Sequence, residues 1–392
     1  MRLHFLGHVL APEDLGLRHV IVEDGRVTAI EARERAPDGA LGSADALIVP
    51  GLVDIQLNGA VGEDFSDPGA DLARAAAALP ATGVTAFLAT IVSSPPEIYV
   101  PAIRNLAGPT PAGSAHSLGI HVEGPFIADA RRGTHDPAVL RAPDRTETAA
   151  WIDAGPVRIV TLAPELPGAL DLVAELTAHG VIVSIGHSDA TWGEADAAIA
   201  AGARLGTHLF NAMRPLHHRE PGIAGRLLSD GVAVSLVVDG VHLAPETVRL
   251  VASIKDPEEL VFITDAMAAL GMPPGRYPLA TREVTSDGIS ARLPDGTLSG
   301  SVAPMAPSLG RLVAAGLDPV VAVRAASTTP AALLGAGDRL GRIEVGRVAD
   351  LVVMDAAWNP MLTLVQGDIG HGEAPEPARA SGAGGMRSGL RP

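Results

Sequence analysis

Short apolar runs alternate with amphipathic patterns through the centre of the chain. Segments such as LDLVAELTAHG carry apolar residues at helical spacing before a glycine that stops the helix. Eight apolar runs between such segments have the character of buried strands: ALIVPGLVDIQL, VTAFLATIV, SLGIHVEG, VRIVTLAPE, VIVSIGH, RLGTH, VAVSLVVDG and ELVFITD. Strands that alternate with helices are typical of a parallel sheet. Eight such units predict an α/β fold, a (β/α)8 TIM-type barrel, over residues 49–335.

Both ends of the chain show a different pattern, with short strands and tight turns. LHFLGHVL and GLRHVIVEDGRVTAIEA precede the barrel, and Asp24-Gly25 in the second of them is a strong hairpin turn. GRIEVGRVADLVVMD has the same texture near the other end. We expect residues 1–48 and 336–362 to form one small β-sandwich together, although two unrelated flaps would give the same pattern.

Two further segments lie outside this scheme. Residues 276–300 contain SDG and PDG turns and predict a hairpin inserted into the barrel. Residues 363–392 are rich in Gly, Pro and Ala and cannot bury enough apolar area to become ordered, so we expect a disordered tail.

Four residues that can bind a metal ion or transfer protons stand at the ends of predicted strands. They are Glu123 in HVEGP, His187 in SIGHS, His208 in GTHLF and Asp265 in ITDAM. The carboxyl ends of barrel strands meet at one rim, so we expect these side chains to converge. Two imidazoles and a carboxylate bind zinc or a similar divalent ion and leave a position open for water. A lone buried histidine is more often a packed core residue, and Asp265 alone could be a helix N-cap, but four such residues favour a site.

Composition and charge exclude several classes of protein. Apolar residues make up 47% of the 392 residues, but no apolar run approaches the about 18 residues that span a bilayer. The N-terminus is a poor signal peptide, and the absence of cysteine leaves His, Asp and Glu to hold any metal ion. The formal charge of -16 argues against nucleic-acid binding and requires a local basic pocket for an anionic ligand. We expect a cytoplasmic protein with neither a membrane nor a nucleic-acid partner.

A series of motifs extends this reading to a known family. In chain order they are HVEGPF (121–126), GTHDP (133–137), GHSDAT (186–191), THLFNAM (207–213), REPG (219–222), DGVHL (239–243), TDAM (264–267) and LSGS (298–301). Together they resemble the N-acetylglucosamine-6-phosphate deacetylase family of the amidohydrolase superfamily. Each motif alone is weak, but eight in order are specific, and the match runs from about residue 46 to 355.

The resemblance implies a mechanism and assigns roles to the strand-end residues. Glu123, His187 and His208 would hold one divalent metal ion, for which zinc is favoured, and Asp265 would be the catalytic acid and base. The ion lowers the pKa of water, so that Asp265 can accept a proton as the water attacks the acetamide carbonyl and then return it to the departing amine. His135 of GTHDP would polarise the carbonyl oxygen, although a purely structural role as a loop cap is the alternative.

The same resemblance implies a set of substrate contacts. Arg219 and His242 would bind the phosphate, for which an Arg fork is well suited. The remaining contacts to the sugar phosphate would come from Thr134, Asn211, Ala212, Leu298, Ser299 and Gly300. Family members are commonly dimers, and in some a neighbouring subunit reaches the phosphate site, so a homodimer is expected.

Two departures from the wider pattern change the expectation. Many amidohydrolases have His-x-His on strand one to bind a second metal ion, but this chain has Gln56 and Asn58 there, and its only lysine, Lys255, lies after strand seven. Amides compete poorly for transition metals, so we predict one ion, with Gln56 and Asn58 positioning their neighbours. After LSGS, residues 302–307 read VAPMAP, which suits a helix start at most and leaves the exact N-acyl sugar open.

The sequence therefore predicts a deacetylase of N-acetylglucosamine 6-phosphate that uses one divalent ion. Another N-acetyl-hexosamine 6-phosphate, such as N-acetylgalactosamine 6-phosphate, is the nearest alternative substrate. A non-catalytic protein that binds sugar phosphates is the alternative of a different class. A cyclic-amide hydrolase is disfavoured because the second metal site is missing.

Overall fold

The structure, a computed structural model, describes residues 2–33 and 39–373, and four strands lie at its beginning. These strands are β1 (Arg2–Leu10), β2 (Asp14–Glu23), β3 (Arg26–Ala32) and β4 (Leu41–Pro50). Asp24 (φ 48°) and Gly25 (φ 74°) form the β2–β3 turn in the left-handed conformation that a two-residue hairpin turn requires. The predicted hairpin is confirmed.

Eight parallel strands form the barrel. They are β5 (Leu52–Leu57) and, after a short hairpin of β6 (Gly59–Ala60) and β7 (Glu63–Asp64), β8 (Val84–Val92), β9 (His116–Glu123), β10 (Val157–Leu162), β11 (Ile182–Ile185), β12 (Leu205–Gly206), β13 (Ala233–Val237) and β14 (Leu260–Ile263). Each pairs with the next one in this order. The ring closes where the Asp265 amide donates to the Gln56 carbonyl (3.0 Å) and the Asn58 amide donates to the Ala266 carbonyl (2.7 Å). The barrel fold is confirmed, and each of the eight predicted runs contains a barrel strand. The first run, residues 46–57, divides at Gly51: residues 46–50 belong to β4 and only 52–57 to the barrel.

The helices follow the barrel strands and bury their apolar faces against them. They are α1 (Leu72–Ala78), α2 (Pro96–Leu106), α3 (Arg145–Ala154), α4 (Ala169–Ala178), α5 (Trp192–Ala201), α6 (Gly222–Leu228), α7 (Pro245–Ile254), α8 (Met305–Ala314), α9 (Pro319–Ala326) and α10 (Thr328–Leu333). Local chemistry sets their starts: at α5, Thr191 and Glu194 form a capping box. In the described residues, no helix has both the length and the hydropathy that crossing a bilayer requires.

The predicted insertion is a small antiparallel sheet at the mouth of the barrel. Its strands are β15 (Gly275–Leu279), β16 (Arg282–Ser286) and β17 (Ala291–Arg292). Two contacts hold it in place: the Thr281 hydroxyl donates to Asp136 (3.0 Å), and the Ala280 amide donates to the buried Asp64 (2.5 Å). The insertion is thereby tied to the loop that carries His135.

The two ends of the chain form one module. The last strands are β18 (Leu351–Met354), β19 (Pro360–Val365) and β20 (Asp368–His371), and the sheet order is β20-β19-β18-β4-β1-β2-β3. Phe5, Ile48 and Leu364 belong to one buried cluster, so the sheet wraps around its own core as a single seven-stranded sheet. The start of a disordered tail at 363 was wrong, because β19 and β20 pair up to His371; the rest of that predicted tail, from 374 onward, lies outside the described residues.

The interior of the barrel is apolar at the end opposite the carboxyl ends of the strands. Leu88, Ile159, Ile182 and Leu205 lie there in one buried cluster with Ala331 of α10, which closes that end. Side chains two residues further along each strand point into the same interior, nearer the mouth. Those positions lead to the candidate site.

A buried lysine gives a testable stability prediction away from that site. Lys255 is 3% exposed, and its ammonium group contacts Glu259 (2.7 Å) and donates to the carbonyls of Ser229 and Val232 (both 2.8 Å). Lys255→Met removes the ammonium donor from these buried acceptors, so we expect a loss of about 3 kcal/mol in the free energy of unfolding, measured by urea denaturation. Arg145→Met, which removes an exposed ion pair to Glu175, is the control and should change it by about 0.5 kcal/mol or less. Equal effects of the two substitutions would contradict the prediction.

Candidate active site

The four strand-end residues lie together at the mouth of the barrel. Glu123 is the last residue of β9, and His187, His208 and Asp265 each lie two residues beyond the ends of β11, β12 and β14. Glu123 Oε1 is 3.2 Å from His187 Nε2 and 3.0 Å from His208 Nε2, and the two Nε2 atoms are 3.0 Å apart. All four side chains are almost fully buried. The predicted convergence is observed.

Three of these residues have a strained backbone. His187 (φ 47°), His208 (φ 34°) and Asp265 (φ 52°) are in or near the left-handed region, which costs a non-glycine residue about 1–3 kcal/mol. Such conformations persist where the surrounding structure enforces them, and they cluster at functional sites. Here each one lets the chain turn sharply off the end of a strand and direct a polar side chain into the barrel mouth.

The geometry of Glu123, His187 and His208 fits one divalent cation. Ligands of a tetrahedral zinc ion, with bonds of about 2.0–2.1 Å, lie about 3.3 Å apart, close to the separations found here. His187 Nδ1 is 3.0 Å from the Arg131 carbonyl, which can only accept, so Nδ1 carries a proton and Nε2 is the ring nitrogen left to bind a cation. Nε2 faces the Glu123 oxygen, so a cation between them would be bound by both atoms. Burial opposes ionisation of Glu123, but its contacts with His187 and His208 hold its pKa well below the usual value.

Asp265 lies next to these groups in a different environment. Burial and the Glu123 carboxylate raise the pKa of Asp265. Its Oδ1 accepts hydrogen bonds from Asn58 Nδ2 (2.8 Å) and Gln56 Nε2 (3.2 Å), and Gln56 Nε2 also donates to Glu123 (3.0 Å). The predicted positioning role of these two amides is confirmed. Two nearby carboxylates with pKa shifts of opposite sign are the arrangement expected for a cation ligand beside a proton carrier.

The LSGS segment supports Asp265 from the other side. The Ser301 amide donates to the Asp265 carbonyl (2.8 Å), so that residues 298–301 lie alongside the TDAM segment. Gly300 is left-handed (φ 68°), and a Cβ there would lie 2.9 Å from the Asp265 carbonyl oxygen. No side chain fits at this position without displacing Asp265. The helix α8 begins directly after this loop, as the two prolines there predicted.

His135 has a defined tautomer. The Ser93 amide donates to His135 Nδ1 (3.3 Å), and the Ser93 hydroxyl lies 2.7 Å from the same atom. Burial, together with His187, lowers the pKa of His135 to about 3, so the ring is neutral at pH 7. Because Nδ1 accepts, Nε2 carries the only proton and is a donor. Glu123, His135 and His187 also lie close enough to share an ion, but a protonated Nε2 cannot bind one, so His208 completes the set better.

A cavity of about 210 Å³ opens above these groups. Besides the four strand-end residues and His135, its lining includes the predicted substrate contacts Thr134, Asn211, Ala212, His242, Leu298 and Gly300. Asn58, Val92, Gly133, Leu279 and Thr297 complete it. His242 Nδ1 is 2.7 Å from Asp239 Oδ2, and this pairing fixes the imidazole ring.

Two predicted substrate contacts are absent from the lining. Ser299 is fully buried and its hydroxyl donates to the Thr297 carbonyl (3.2 Å), so its side chain faces the inserted sheet. Arg219 lies on the exposed loop 214–221, where its Nη1 is 2.9 Å from His218 Nε2. Neither side chain lines the cavity of a single chain, and the roles of both residues as substrate contacts stay predictions. His217 and His218 are exposed on the same loop.

Several supporting residues were missed by the sequence reading. Arg131, whose carbonyl orients His187, binds Asp189 through Nε (2.8 Å), and Asp189 also accepts from Arg214 (3.1 Å). Glu165 accepts from the Ser188 hydroxyl (2.7 Å) and thereby holds the turn that follows His187. Asp189 lies within the GHSDAT motif, so its charge could have indicated a supporting role near His187. Arg131 and Glu165 lie on other loops, and nothing in the sequence links them to His187.

Comparisons with known proteins identify the family of this chain. The amidohydrolase family model matches residues 47–375, and the chain belongs to this family. Among its relatives there, the Homo sapiens N-acetylglucosamine-6-phosphate deacetylase is 40% identical over 385 residues, 93% of this chain and 92% of that protein. The N-acetylgalactosamine-6-phosphate deacetylase of Escherichia coli O157:H7 is 34% identical over 355 residues, 89% of this chain and 93% of that protein. The resemblance that the motifs indicate is confirmed.

A solved structure gives the same result for the fold. A mutant N-acetyl-D-glucosamine-6-phosphate deacetylase from Mycobacterium smegmatis, in complex with N-acetyl-D-glucosamine-6-phosphate, matches with a TM-score of 0.86 and 38% identity. The match covers 94% of this chain and 99% of that one. The barrel and the sheet built from both chain ends are therefore shared with this enzyme.

Proposed function

We propose that this chain removes the acetyl group from N-acetylglucosamine 6-phosphate, releasing glucosamine 6-phosphate and acetate. The observation that carries the proposal is the convergence of Glu123, His187, His208 and Asp265 on one cavity at the mouth of the barrel. These side chains supply both a cation site and a separate proton carrier, which amide hydrolysis requires. Relatives that are 34–40% identical to this chain are deacetylases of N-acetyl amino sugar phosphates.

Glu123, His187 and His208 would hold one divalent ion, for which zinc is favoured by the mixed nitrogen and oxygen ligands. When bound, such an ion activates water and polarises the amide carbonyl. Gln56 and Asn58 occupy the positions where a second ion would need histidines, and both are engaged with Asp265. One ion per chain is therefore proposed.

Asp265 would act as the proton carrier. Its raised pKa suits a group that accepts a proton from the attacking water and then delivers it to the amine nitrogen as the C–N bond breaks. His135 would donate from Nε2 to the carbonyl oxygen as negative charge develops there, since its neutral tautomer leaves that proton available. His135 would thus stabilise the oxygen, and Asp265 would transfer the proton.

The phosphate would be held at the side of the cavity where His242 lies. The described cavity lining has no Arg or Lys, so His242, with backbone groups of Asn211 and Ala212, would make these contacts within one chain. Arg219 is exposed and does not line this cavity. A contribution from Arg219 would therefore come from a second copy of the chain, as the expected homodimer allows.

Steady-state assays of two epimeric substrates test the proposal. We expect N-acetylglucosamine 6-phosphate to yield acetate and a free amine, with kcat/KM about tenfold or more above that for N-acetylgalactosamine 6-phosphate. A reversed preference would favour the galactosamine alternative. Binding of both compounds without any product would favour the non-catalytic alternative and overturn the proposal.

A further inference from the structure

A layer of polar side chains lies inside the barrel directly beneath the site. Barrel interiors are ordinarily filled by layers of branched apolar residues. Here the next layer toward the mouth contains polar residues that are at most 1% exposed: Thr90, His121, Thr161, Ser184 and Thr207. The mechanism proposed above uses none of them.

Four of these side chains form one continuous chain of hydrogen bonds across four strands. His121 Nε2 is 2.7 Å from Thr161 Oγ1, Thr161 Oγ1 is 2.8 Å from Thr207 Oγ1, and Ser184 Oγ contacts Thr207 Oγ1. The other nitrogen, His121 Nδ1, is 3.1 Å from the Ile55 carbonyl on β5. The chain thus links β5, β9, β10, β12 and β11.

The direction of every proton in this chain follows from its end at the Ile55 carbonyl. A carbonyl can only accept, so His121 Nδ1 donates. The other ring nitrogen, Nε2, faces the Thr161 hydroxyl, and in a neutral imidazole whose Nδ1 donates, this nitrogen accepts from Thr161. Thr161 has then used its proton and accepts from Thr207, which in turn accepts from Ser184. Each buried group in the chain is satisfied in this one arrangement.

Three members of this hydrogen-bonded chain also lie next to proposed cation ligands in the backbone. His121 lies two residues before Glu123 on the same face of β9, and the Thr161 carbonyl accepts from the Gly124 amide (3.0 Å). Thr207 directly precedes His208. Its Cβ lies 2.8 Å from where a Cβ of Gly186 would be, so Thr207 also packs against the residue before His187.

We infer that His121, Thr161, Thr207 and Ser184 are positioning residues that set the separation of Glu123, His187 and His208. This inference rests on the proposed cation site. The ordered hydrogen bonds fix the position of each strand end along the barrel axis relative to the next one. The distances between the ligand atoms depend on these positions. A layer of valines would fill the same volume but would leave the strand ends free to shift. Outer groups of this kind change metal affinity by about 10- to 100-fold.

The test uses Co²⁺, whose visible absorption reports ligand geometry, added to the metal-free full-length protein. Thr207→Val keeps the shape of the side chain but interrupts the chain, and we expect a Kd for Co²⁺ about tenfold or more weaker, with an altered spectrum. Thr207→Ser restores the hydroxyl and should return the Kd to within about threefold of the original. Thr363→Val in β19 is the matched control. It removes a buried hydroxyl that donates to the Pro80 carbonyl (2.7 Å), and it should leave the Kd for Co²⁺ and the spectrum unchanged.

The proton order predicts a further ranking. Ser184→Ala removes only the first donor and leaves no hydroxyl proton without an acceptor, so it should weaken Co²⁺ binding less than Thr207→Val does. Circular dichroism shows whether each variant is folded. If Thr207→Val does not fold, the Kd of Ser184→Ala for Co²⁺ is compared with that of the unmodified protein instead. If the unmodified protein binds no Co²⁺, the cation site itself fails. If it binds Co²⁺ and Thr207→Val binds it equally well with the same spectrum, or if Ser184→Ala is the more damaging, the inference is overturned.

Discussion

Asp265→Asn is expected to lower kcat for deacetylation by about 10²- to 10⁴-fold while leaving substrate binding within about threefold. The asparagine has nearly the same shape, and its Oδ1 can still accept from Asn58 Nδ2 and Gln56 Nε2. The substitution therefore keeps the fold and the cavity. It removes the one group beside the cation site whose pKa is raised and which can carry a proton between water and amine.

Two measurements separate loss of catalysis from loss of structure. Single-turnover assays report the chemical step, and calorimetric titration with N-acetylglucosamine 6-phosphate reports binding. Asp153→Asn makes the same chemical change on the exposed side of α3 and should leave both unchanged. If Asp265→Asn turned over at a rate close to that of the unmodified protein, Asp265 would have no part in the reaction.

The convergence of the site could be predicted because topology alone produces it. In a parallel barrel every strand ends at the same mouth, so a residue at the end of a recognisable apolar run has a known position whatever the intervening loops do. Glu123, His187, His208 and Asp265 were placed in this way, although up to 142 residues separate them (Glu123 to Asp265). The backbone strain at three of them could not be predicted, since nothing in the sequence marks a left-handed histidine.

Loop residues were less predictable because their direction depends on contacts made elsewhere. Arg219 is held outside the cavity on the 214–221 loop, at the end of which Arg214 binds Asp189. The Ser299 side chain lies outside the cavity. Its amide pairs with the Ala291 carbonyl of the inserted sheet, and its hydroxyl donates to the Thr297 carbonyl. In both cases a motif identifies the segment but not the face that it presents.

The polar layer shows a third kind of limit. A single Thr or Ser inside an apolar strand is visible in RIVTLA, IVSIG and LGTH, but period-two alternation alone does not tell whether such a residue faces a partner. The hydrogen bonds join residues on five strands, and their pairing depends on the stagger of the barrel. The ends of strands can be aligned from sequence, whereas the registers that bring Thr161 and Thr207 together cannot.

The last prediction concerns the cation itself. Glu123→Gln should lower the affinity for Zn²⁺ by more than about 100-fold and reduce deacetylation in proportion, because an amide carries no charge and is a poor ligand for a transition metal. The glutamine can still accept from Gln56 Nε2, so the fold should be kept. Elemental analysis after dialysis should find about one zinc per chain in the unmodified protein and much less than one in the variant, and competition with a chromophoric chelator gives the two Kd values. Glu259→Gln alters a half-buried carboxylate that contacts Lys255 far from the cavity, and it should retain the ion. If Glu123→Gln held zinc as tightly as the unmodified chain, the ion would be bound elsewhere, and the close approach of His187 and His208 to Glu123 would need another cause.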